Sequence, residues 1–149
     1  ADLRYMDPES NEKFIPHVVE PTFGIDRTVL VVLLEAYREE KERVVLALPP
    51  TLAPYKVAVF PLLANKPQLV ERAKQIADDL RQHFTVAWDS RGNIGKRYLS
   101  QDEIGTPFCI TIDFDSLEDQ KVTVRDRDTA KQDRVAIADL VHYLQEKLQ

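Results

Sequence analysis

Apolar residues follow strand and helix patterns along most of the second half of the chain. Lys56–Leu63 is apolar on both faces, which is typical of a central strand covered by helices on either side. Asn65-Lys66-Pro67 then predicts the start of a helix, and apolar residues recur at helical spacing as far as Phe84. Thr85–Trp88 is a second predicted strand. The order of strand, helix and strand predicts a parallel crossover unit.

A short helix and three further strands are predicted after this unit. Ile94–Ile104 has a helical pattern, with Ile94, Tyr98 and Leu99 available for its buried face and Gly105 placed to end it. The remaining elements are strands over Phe108–Phe114, Lys121–Asp128 and Arg134–Ala136, a loop over Asp115–Gln120, and a final helix over Ala138–Leu148. Together the elements predict an α/β domain with a mixed sheet of about five strands flanked by helices.

The pattern of residues 1–48 predicts a hairpin followed by one helix. Two short apolar runs flank the turn-forming cluster Asp7–Asn11, which predicts the hairpin. Asp26 is expected to cap a helix over Thr28–Glu40, in which Val29–Leu34 is apolar around the whole circumference. A hairpin and one helix cannot bury such a segment. Pro49–Pro54 is expected to be an extended connector, so that residues 1–48 and 49–149 belong to different domains.

Composition excludes several classes of function. The net charge of −5 does not fit a generally basic nucleic-acid coat, so any RNA site must be local. No apolar run approaches the roughly 20 residues that span a bilayer, and neither a membrane nor DNA is predicted as a partner. The single cysteine, Cys109, excludes an intrachain disulfide, favours a reducing compartment and is interpreted as a core residue. The three histidines are far apart in sequence, and no metal site is expected.

The charges on the predicted helix Ile94–Ile104 are the clearest indication of chemistry. Lys96 and Arg97 lie in its first turn, whereas Asp102 and Glu103 lie in its last. This order opposes the helix dipole, which favours acids at the start and bases at the end by roughly 0.3–1 kcal/mol each. Cations placed where amide N–H groups point outwards favour an anion site, with backbone phosphate as the candidate. The alternative is that these are solvated charges on an exposed turn.

Candidate RNA contacts gather at one edge of the predicted sheet, because open α/β sheets bind ligands at the carboxyl ends of their strands. Cations there would hold phosphate, while acids, amides and rings would read and stack exposed bases. The candidates are Asn65, Lys66, Arg91, Lys96, Arg97, Glu103, Arg125 and Arg127. For Arg125 and Arg127 the alternative is a charge ladder with Asp113, Asp126 and Asp128. No Ser-His-Asp, Cys-His or paired-carboxylate pattern is visible in this domain, so the domain alone is interpreted as a binding module.

Four sequence blocks, in order along the chain, resemble the class II glycyl-tRNA synthetases of the homodimeric bacterial type. IPHVVEPTFGIDR is similar to motif 3 of these enzymes, and APYKVAVFPL, GNIGKRYLSQDEIGTPFCITIDFDS and VTVRDRDT are similar to their anticodon-binding domain. The resemblance covers essentially the whole chain. It implies that residues 49–149 have the anticodon-binding-domain fold and that residues 1–48 are the end of the catalytic domain. The start at Ala1, without methionine, is expected for a C-terminal piece of a longer protein.

The resemblance implies a cytoplasmic, homodimeric ligase that attaches glycine to its tRNA with ATP and Mg²⁺. It assigns glycine binding to Glu20, Pro21, Thr22, Phe23 and Gly24, and ATP binding to Gly24, Ile25, Asp26 and Arg27. Thr22 stands where serine is expected, and motifs 1 and 2 are absent, so no catalytic set is complete in this sequence. The chain alone is expected to recognise the tRNA anticodon and to be catalytically inactive.

Two other classes of function compete with this interpretation. A stand-alone paralogue could use the same fold as a nucleic-acid-binding or protein-binding accessory module, but it would have little reason to keep Glu20–Arg27 in this form. An α/β enzyme could bind a nucleotide phosphate at the turn of Gly92 and Gly95, but the fingerprint of a dinucleotide site is missing.

Overall fold

The computed structural model describes residues 2–148, and its first part contains two small hairpins joined by a helix. β1 (Tyr5–Met6) pairs with β2 (Lys13–Phe14) across the predicted turn, so the first hairpin is confirmed. α1 spans Ile25–Ala36. β3 (Tyr37–Glu39) then pairs with β4 (Val44–Leu46) in a second antiparallel hairpin.

α1 differs at both ends from the predicted helix. It begins after Gly24 rather than at an Asp26 cap, and it ends at Ala36, where the backbone of Tyr37 becomes extended. Residues 37–40, the end of the predicted helix, instead form β3 and the start of the turn before β4. A surface helix and an edge strand both carry exposed charges, and the pairing of β3 with β4 selects the strand.

The rest of the chain folds into one five-stranded mixed sheet with helices on both faces, as predicted. Its elements are β5 (Val57–Pro61), α2 (Pro67–Leu80), β6 (Val86–Trp88), α3 (Ile94–Ile104), β7 (Phe108–Ile112), α4 (Phe114–Asp119), β8 (Lys121–Asp126), β9 (Gln132–Ala136) and α5 (Leu140–Lys147). The strands lie in the order β6-β5-β7-β8-β9. β5 is parallel to β6 and β7, whereas β8 is antiparallel to β7 and β9. The parallel crossover through α2 is therefore confirmed.

Two apolar layers join the sheet to its helices. On one face, Val57, Val59 and Ile110 belong to a buried cluster that includes residues of α2 and α5. On the other face, Phe60 and Cys109 pack with residues of α3. Each large apolar side chain removed from water in this way contributes roughly 1.5–3 kcal/mol. Cys109 is buried, which confirms the interpretation of this cysteine as a core residue, and burial raises the pKa of its thiol.

The segment predicted as a loop after β7 contains the helix α4. Asp113 Oδ1 accepts from the Ser116 backbone N–H at 2.8 Å, and the Ser116 hydroxyl accepts from the Asp113 N–H at 3.1 Å. This reciprocal cap starts the helix, and Gln120 ends it with a φ of 54° in the left-handed region. The cap is hard to find in the sequence because serine replaces the usual Glu or Gln three residues after the cap.

The predicted connector Pro49–Pro54 is a turn rather than an extended linker. The Pro49 carbonyl accepts from the backbone N–H groups of Leu52 and Ala53, and Ala53 is buried. Just before this turn, β4 lies against α3 of the sheet domain. The division between residues 1–48 and 49–149 stays a prediction, and packing contacts cross it.

α1 is exposed although it is strongly apolar. Val29, Leu30 and Val31 are each more than half exposed, and Leu34 is 67% exposed. The helix therefore lacks the burial on every side that its sequence requires, as expected for a hairpin and one helix alone. Within residues 2–148, no helix combines the length and the apolar character needed to cross a membrane.

Candidate nucleic-acid interface

Two loops meet at the carboxyl edge of the parallel strands. The first loop, residues 62–66, follows β5, and the second loop, residues 89–93, follows β6. A cavity of about 450 Å³ lies between them, and most of its wall is apolar. The lining residues are Leu62, Leu63, Ala64, Asn65, Gly92, Asn93, Ile94 and Arg97. This is the edge at which α/β sheets bind ligands.

Four of the predicted RNA contacts are exposed at this edge of the sheet, and one of them, Asn65, lines the cavity. Asn65 and Lys66 belong to the first loop, Arg91 to the second, and Lys96 to the first turn of α3. The Arg91 backbone N–H and Nε donate to Asp89 Oδ1 at 2.8 and 3.2 Å, while its side chain stays 92% exposed. Three cations and an amide are thus presented to solvent at one edge, as contacts to phosphates and bases require.

The start of α3 is capped from within the protein. Asn93 Oδ1 accepts from the Lys96 backbone N–H at 2.9 Å, and Gly92 precedes the cap with a φ of 61°. Asn93 was not among the predicted site residues, although asparagine is a favoured N-cap. Because the cap uses one of the N–H groups at the helix start, fewer of them are available to an anion than the sequence suggested.

Arg97 is buried rather than directed towards RNA. Its side chain is 2% exposed, and Nε, Nη1 and Nη2 donate to the carbonyls of Arg91, Pro61 and Gly92 at 3.0, 2.5 and 2.9 Å. Burial lowers the pKa of Arg97, and the charge of Asp89 opposes this shift. The prediction that Arg97 contacts RNA is corrected here, because all three guanidinium nitrogens are used within the fold.

The buried face of α3 is more polar than predicted. Ile94 and Tyr98 pack against the sheet as expected, but Leu99 is 39% exposed. The most deeply buried positions of the helix are Arg97, Gln101 and Asp102. Their burial is tolerated because, within residues 2–148, every buried side-chain nitrogen or oxygen has a hydrogen-bond partner.

Arg125 forms an internal ion pair at the far end of α3. Its Nη1 and Nη2 donate to Asp102 Oδ1 and Oδ2 at 2.8 and 3.0 Å, a bidentate pair with a fully buried carboxylate. The guanidinium also lies 4.9 Å from the centre of the Tyr98 ring. Burial lowers the pKa of Arg125, but the hydrogen bonds and charge of Asp102 outweigh it, so that the pKa is raised. The predicted RNA contact is corrected to an internal pair, whose partner is Asp102 rather than an acid of the charge ladder.

Arg127 is also part of the fold. It is 3% exposed, and its Nη1 donates to the carbonyls of Leu46, Leu48 and Gly105 at 3.3, 2.9 and 2.8 Å. Its Nη2 pairs with Asp128 at 2.9 Å, as the charge ladder proposed. Arg127 therefore joins the end of α3 to the segment after β4, and its predicted contact with RNA is corrected.

Arg43, which was not predicted, connects the second hairpin to α3. Its Nη1 donates to Asp102 Oδ2 at 3.1 Å and to the Arg127 carbonyl at 2.7 Å. Glu103 is exposed next to Asp102, but it lies about 10 Å along the helix axis from Lys96. Glu103 therefore does not join the residues around the cavity.

The residues assigned to glycine and ATP lie outside the sheet domain. Residues 15–24 are exposed and have no regular structure. A separate cavity of about 320 Å³ beside α1 is lined by Thr22, Phe23, Gly24, Arg27, Thr28, Val31 and Val32. The other assigned residues do not line it: Glu20, Pro21, Ile25 and Asp26. In the described part of the chain, no three His, Cys, Asp or Glu side chains are grouped so that they could hold a metal ion.

Comparison with known proteins identifies relatives over the whole chain. Residues 56–147 match the family model described as "Anticodon binding domain". The glycine-tRNA ligase of Thermobifida fusca is 50% identical over 157 aligned positions, which cover 99% of this chain and 34% of that protein. Those of Clostridium acetobutylicum and Bacillus anthracis are 48% and 49% identical, each with 99% of this chain and 32% of the relative covered. The chain thus spans about a third of the length of these curated relatives.

Proposed function

Since this chain belongs to the anticodon-binding-domain family, we propose that it binds the anticodon loop of a tRNA, and that this tRNA accepts glycine. The observation that supports the site is the exposure of Asn65, Lys66, Arg91 and Lys96 at one edge of the sheet, where Asn65 lines a cavity. The choice of tRNA is supported by the similarity of the whole chain to glycine-tRNA ligases.

An anticodon loop presents unstacked bases on a phosphate backbone, and this edge of the sheet suits both parts. Lys66, Arg91 and Lys96 supply local positive charge for phosphates on a chain whose net charge is −5. Asn65 can both donate and accept hydrogen bonds along a base edge. The apolar wall between the loops would exclude water from a base that enters the cavity, which strengthens such hydrogen bonds.

We further propose that the longer protein attaches glycine to this tRNA with ATP and Mg²⁺, as a homodimer in the cytoplasm. Arg27 carries a permanent positive charge suited to phosphate, and it shares a cavity with Thr22 and Gly24. Because the 149-residue chain spans only about a third of the length of its ligase relatives, we expect it to lack ligase activity on its own.

The test of anticodon binding compares two RNA stem-loops in solution with the 149-residue chain. One carries the glycine tRNA anticodon, and in the other the central anticodon bases are changed. Fluorescence anisotropy should show about tenfold tighter binding of the first RNA, and weaker binding as the salt concentration rises. Equal binding of both would favour a general nucleic-acid-binding accessory module, and no binding would contradict the proposal.

A charge reversal locates the site on the protein. Lys96→Glu is expected to weaken binding by about tenfold, because attraction to phosphate becomes repulsion. Lys131→Glu is the matched control, since Lys131 is exposed after β8, at the opposite edge of the sheet. The control should keep the wild-type affinity within about twofold, and equal losses in both variants would contradict a local site.

A further inference from the structure

Arg97 joins three points of the backbone beside the cavity. From α3, its Nη1 reaches the carbonyl of Pro61, the last residue of β5, which lies between β6 and β7 in the sheet. Its Nε and Nη2 reach the carbonyls of Arg91 and Gly92 in the second loop. One guanidinium therefore fixes the second loop relative to the end of β5.

Charge pairing does not account for the burial of Arg97. In the described part of the chain, no carboxylate forms a salt bridge with it, and the nearby Asp89 is paired with Arg91. By contrast, Arg125 and Arg127 each pair with a carboxylate. A buried cation without such a partner is costly, so the contribution of Arg97 to this fold comes through its backbone contacts.

We propose that Arg97 is a positioning residue for RNA binding, an inference that rests on the proposed function. Its guanidinium donates to the backbone and not to the RNA. It holds the second loop so that Arg91 is presented at the same edge of the sheet as Asn65 and Lys96 before the RNA arrives. A loop that is already ordered loses less conformational entropy on binding, and this raises the affinity.

Arg97→Lys tests the proposal because it keeps the charge but replaces the planar fork with a single ammonium group. In the 149-residue chain, we expect about fivefold weaker binding of the glycine anticodon stem-loop. In the free protein, amide hydrogen exchange of residues 89–93 should become faster, because the second loop loses its attachment to β5.

Arg127→Lys is the matched control. Arg127 is equally buried and also donates to three backbone carbonyls, but it lies at the other end of α3. Its substitution should speed exchange around Leu46–Leu48 and leave RNA affinity within about twofold of wild type. Equal loss of RNA affinity in the two variants would reduce Arg97 to a general stabiliser of the fold and overturn its positioning role.

The salt dependence of binding separates positioning from contact. When a lysine that touches phosphate is neutralised, the slope of log affinity against log salt falls by about one. Lys96→Gln should show this reduction, whereas Arg97→Gln should weaken binding without changing the slope. A reduced slope in Arg97→Gln would show that this side chain contacts RNA, and would overturn the proposal.

Gly92→Ala keeps the proposal testable if the Arg97 variants do not fold. An added Cβ at Gly92 would meet no atom within 4 Å, but the φ of 61° would strain the second loop. Binding should weaken by about threefold.

The outcomes separate the two proposals. Wild-type affinity in Arg97→Lys, or in Gly92→Ala if the arginine variants unfold, would overturn only the role of Arg97. Absence of selective binding by the wild-type chain would instead overturn the proposed function itself, and the role of Arg97 with it.

Discussion

The two ends of α3 both carry charged residues, yet they differ in burial. The start of the helix presents Lys96 to solvent and is called the open end, whereas the last turn buries Asp102 and is called the closed end. At the start, Lys96 is exposed beside a cavity between two loops. At the end, Asp102 is fully buried and binds Arg125 and Arg43. The difference comes from what covers the helix, because β4 packs against α3 and Arg43, in the turn before β4, binds Asp102 near the end of the helix. The elements packed over a charged residue therefore decide whether its side chain is used within the fold or stays exposed to solvent.

Asp102→Asn should break the buried ion pairs at the closed end of α3, and it should have the largest effect on stability. It leaves the buried guanidinium groups of Arg125 and Arg43 without their shared carboxylate. Removing one partner of a buried ion pair costs about 3–5 kcal/mol, and the free energy of unfolding in urea should fall by that amount.

The control for this prediction is the adjacent residue. Glu103→Gln makes the same chemical change at an exposed position, and it should alter the free energy of unfolding by less than about 0.5 kcal/mol. If the two variants lost similar amounts of unfolding free energy, burial would not distinguish Asp102 from Glu103. That result would contradict the proposed difference between the two ends of α3.

Gly105→Ala should have the second largest effect. Gly105 has a φ of 89°, and an added Cβ would lie 2.7 Å from the Leu46 carbonyl oxygen. The backbone strain and this clash together should lower the free energy of unfolding by about 2 kcal/mol. Gly92→Ala at the open end meets no atom within 4 Å and should cost only about 1 kcal/mol. Thermal or urea unfolding of both variants measures the difference, and a larger loss at Gly92 would contradict the assignment of open and closed ends.

Elements whose signals are local could be predicted from the sequence. The bounds of α3, its left-handed cap at Gly105 and the strands of the crossover are confirmed, because apolar spacing and caps act over a few residues. β3 and α4 could not be predicted in the same way. β3 exists through its pairing with β4, and α4 through an unusual cap of Asp113 and Ser116.

The contacts of the charged residues could not be predicted, because their partners are distant in sequence. Asp102 binds Arg125, which lies 23 residues later, and Arg43, which lies 59 residues earlier. The grouping of exposed cations at the carboxyl edge did follow from the parallel strands. Lys96 and Arg97 are neighbours, yet a step of about 100° around the helix leaves one exposed and the other buried.

The smallest effect is expected at the open end, from Asp89. Burial raises the pKa of its carboxyl, but the hydrogen bonds from Arg91 outweigh this, so that the pKa is lowered. A group whose pKa is lower in the folded state stabilises the fold above its unfolded-state pKa, and that contribution is lost as pH falls through the folded-state value. Asp89→Asn should therefore reduce the free energy of unfolding at neutral pH by less than about 1 kcal/mol. In urea unfolding, the difference in free energy of unfolding between this variant and wild type should shrink as the pH falls from about 5 to about 2. A difference that stayed constant over this range would show that the Asp89 side chain supports the second loop through its shape alone.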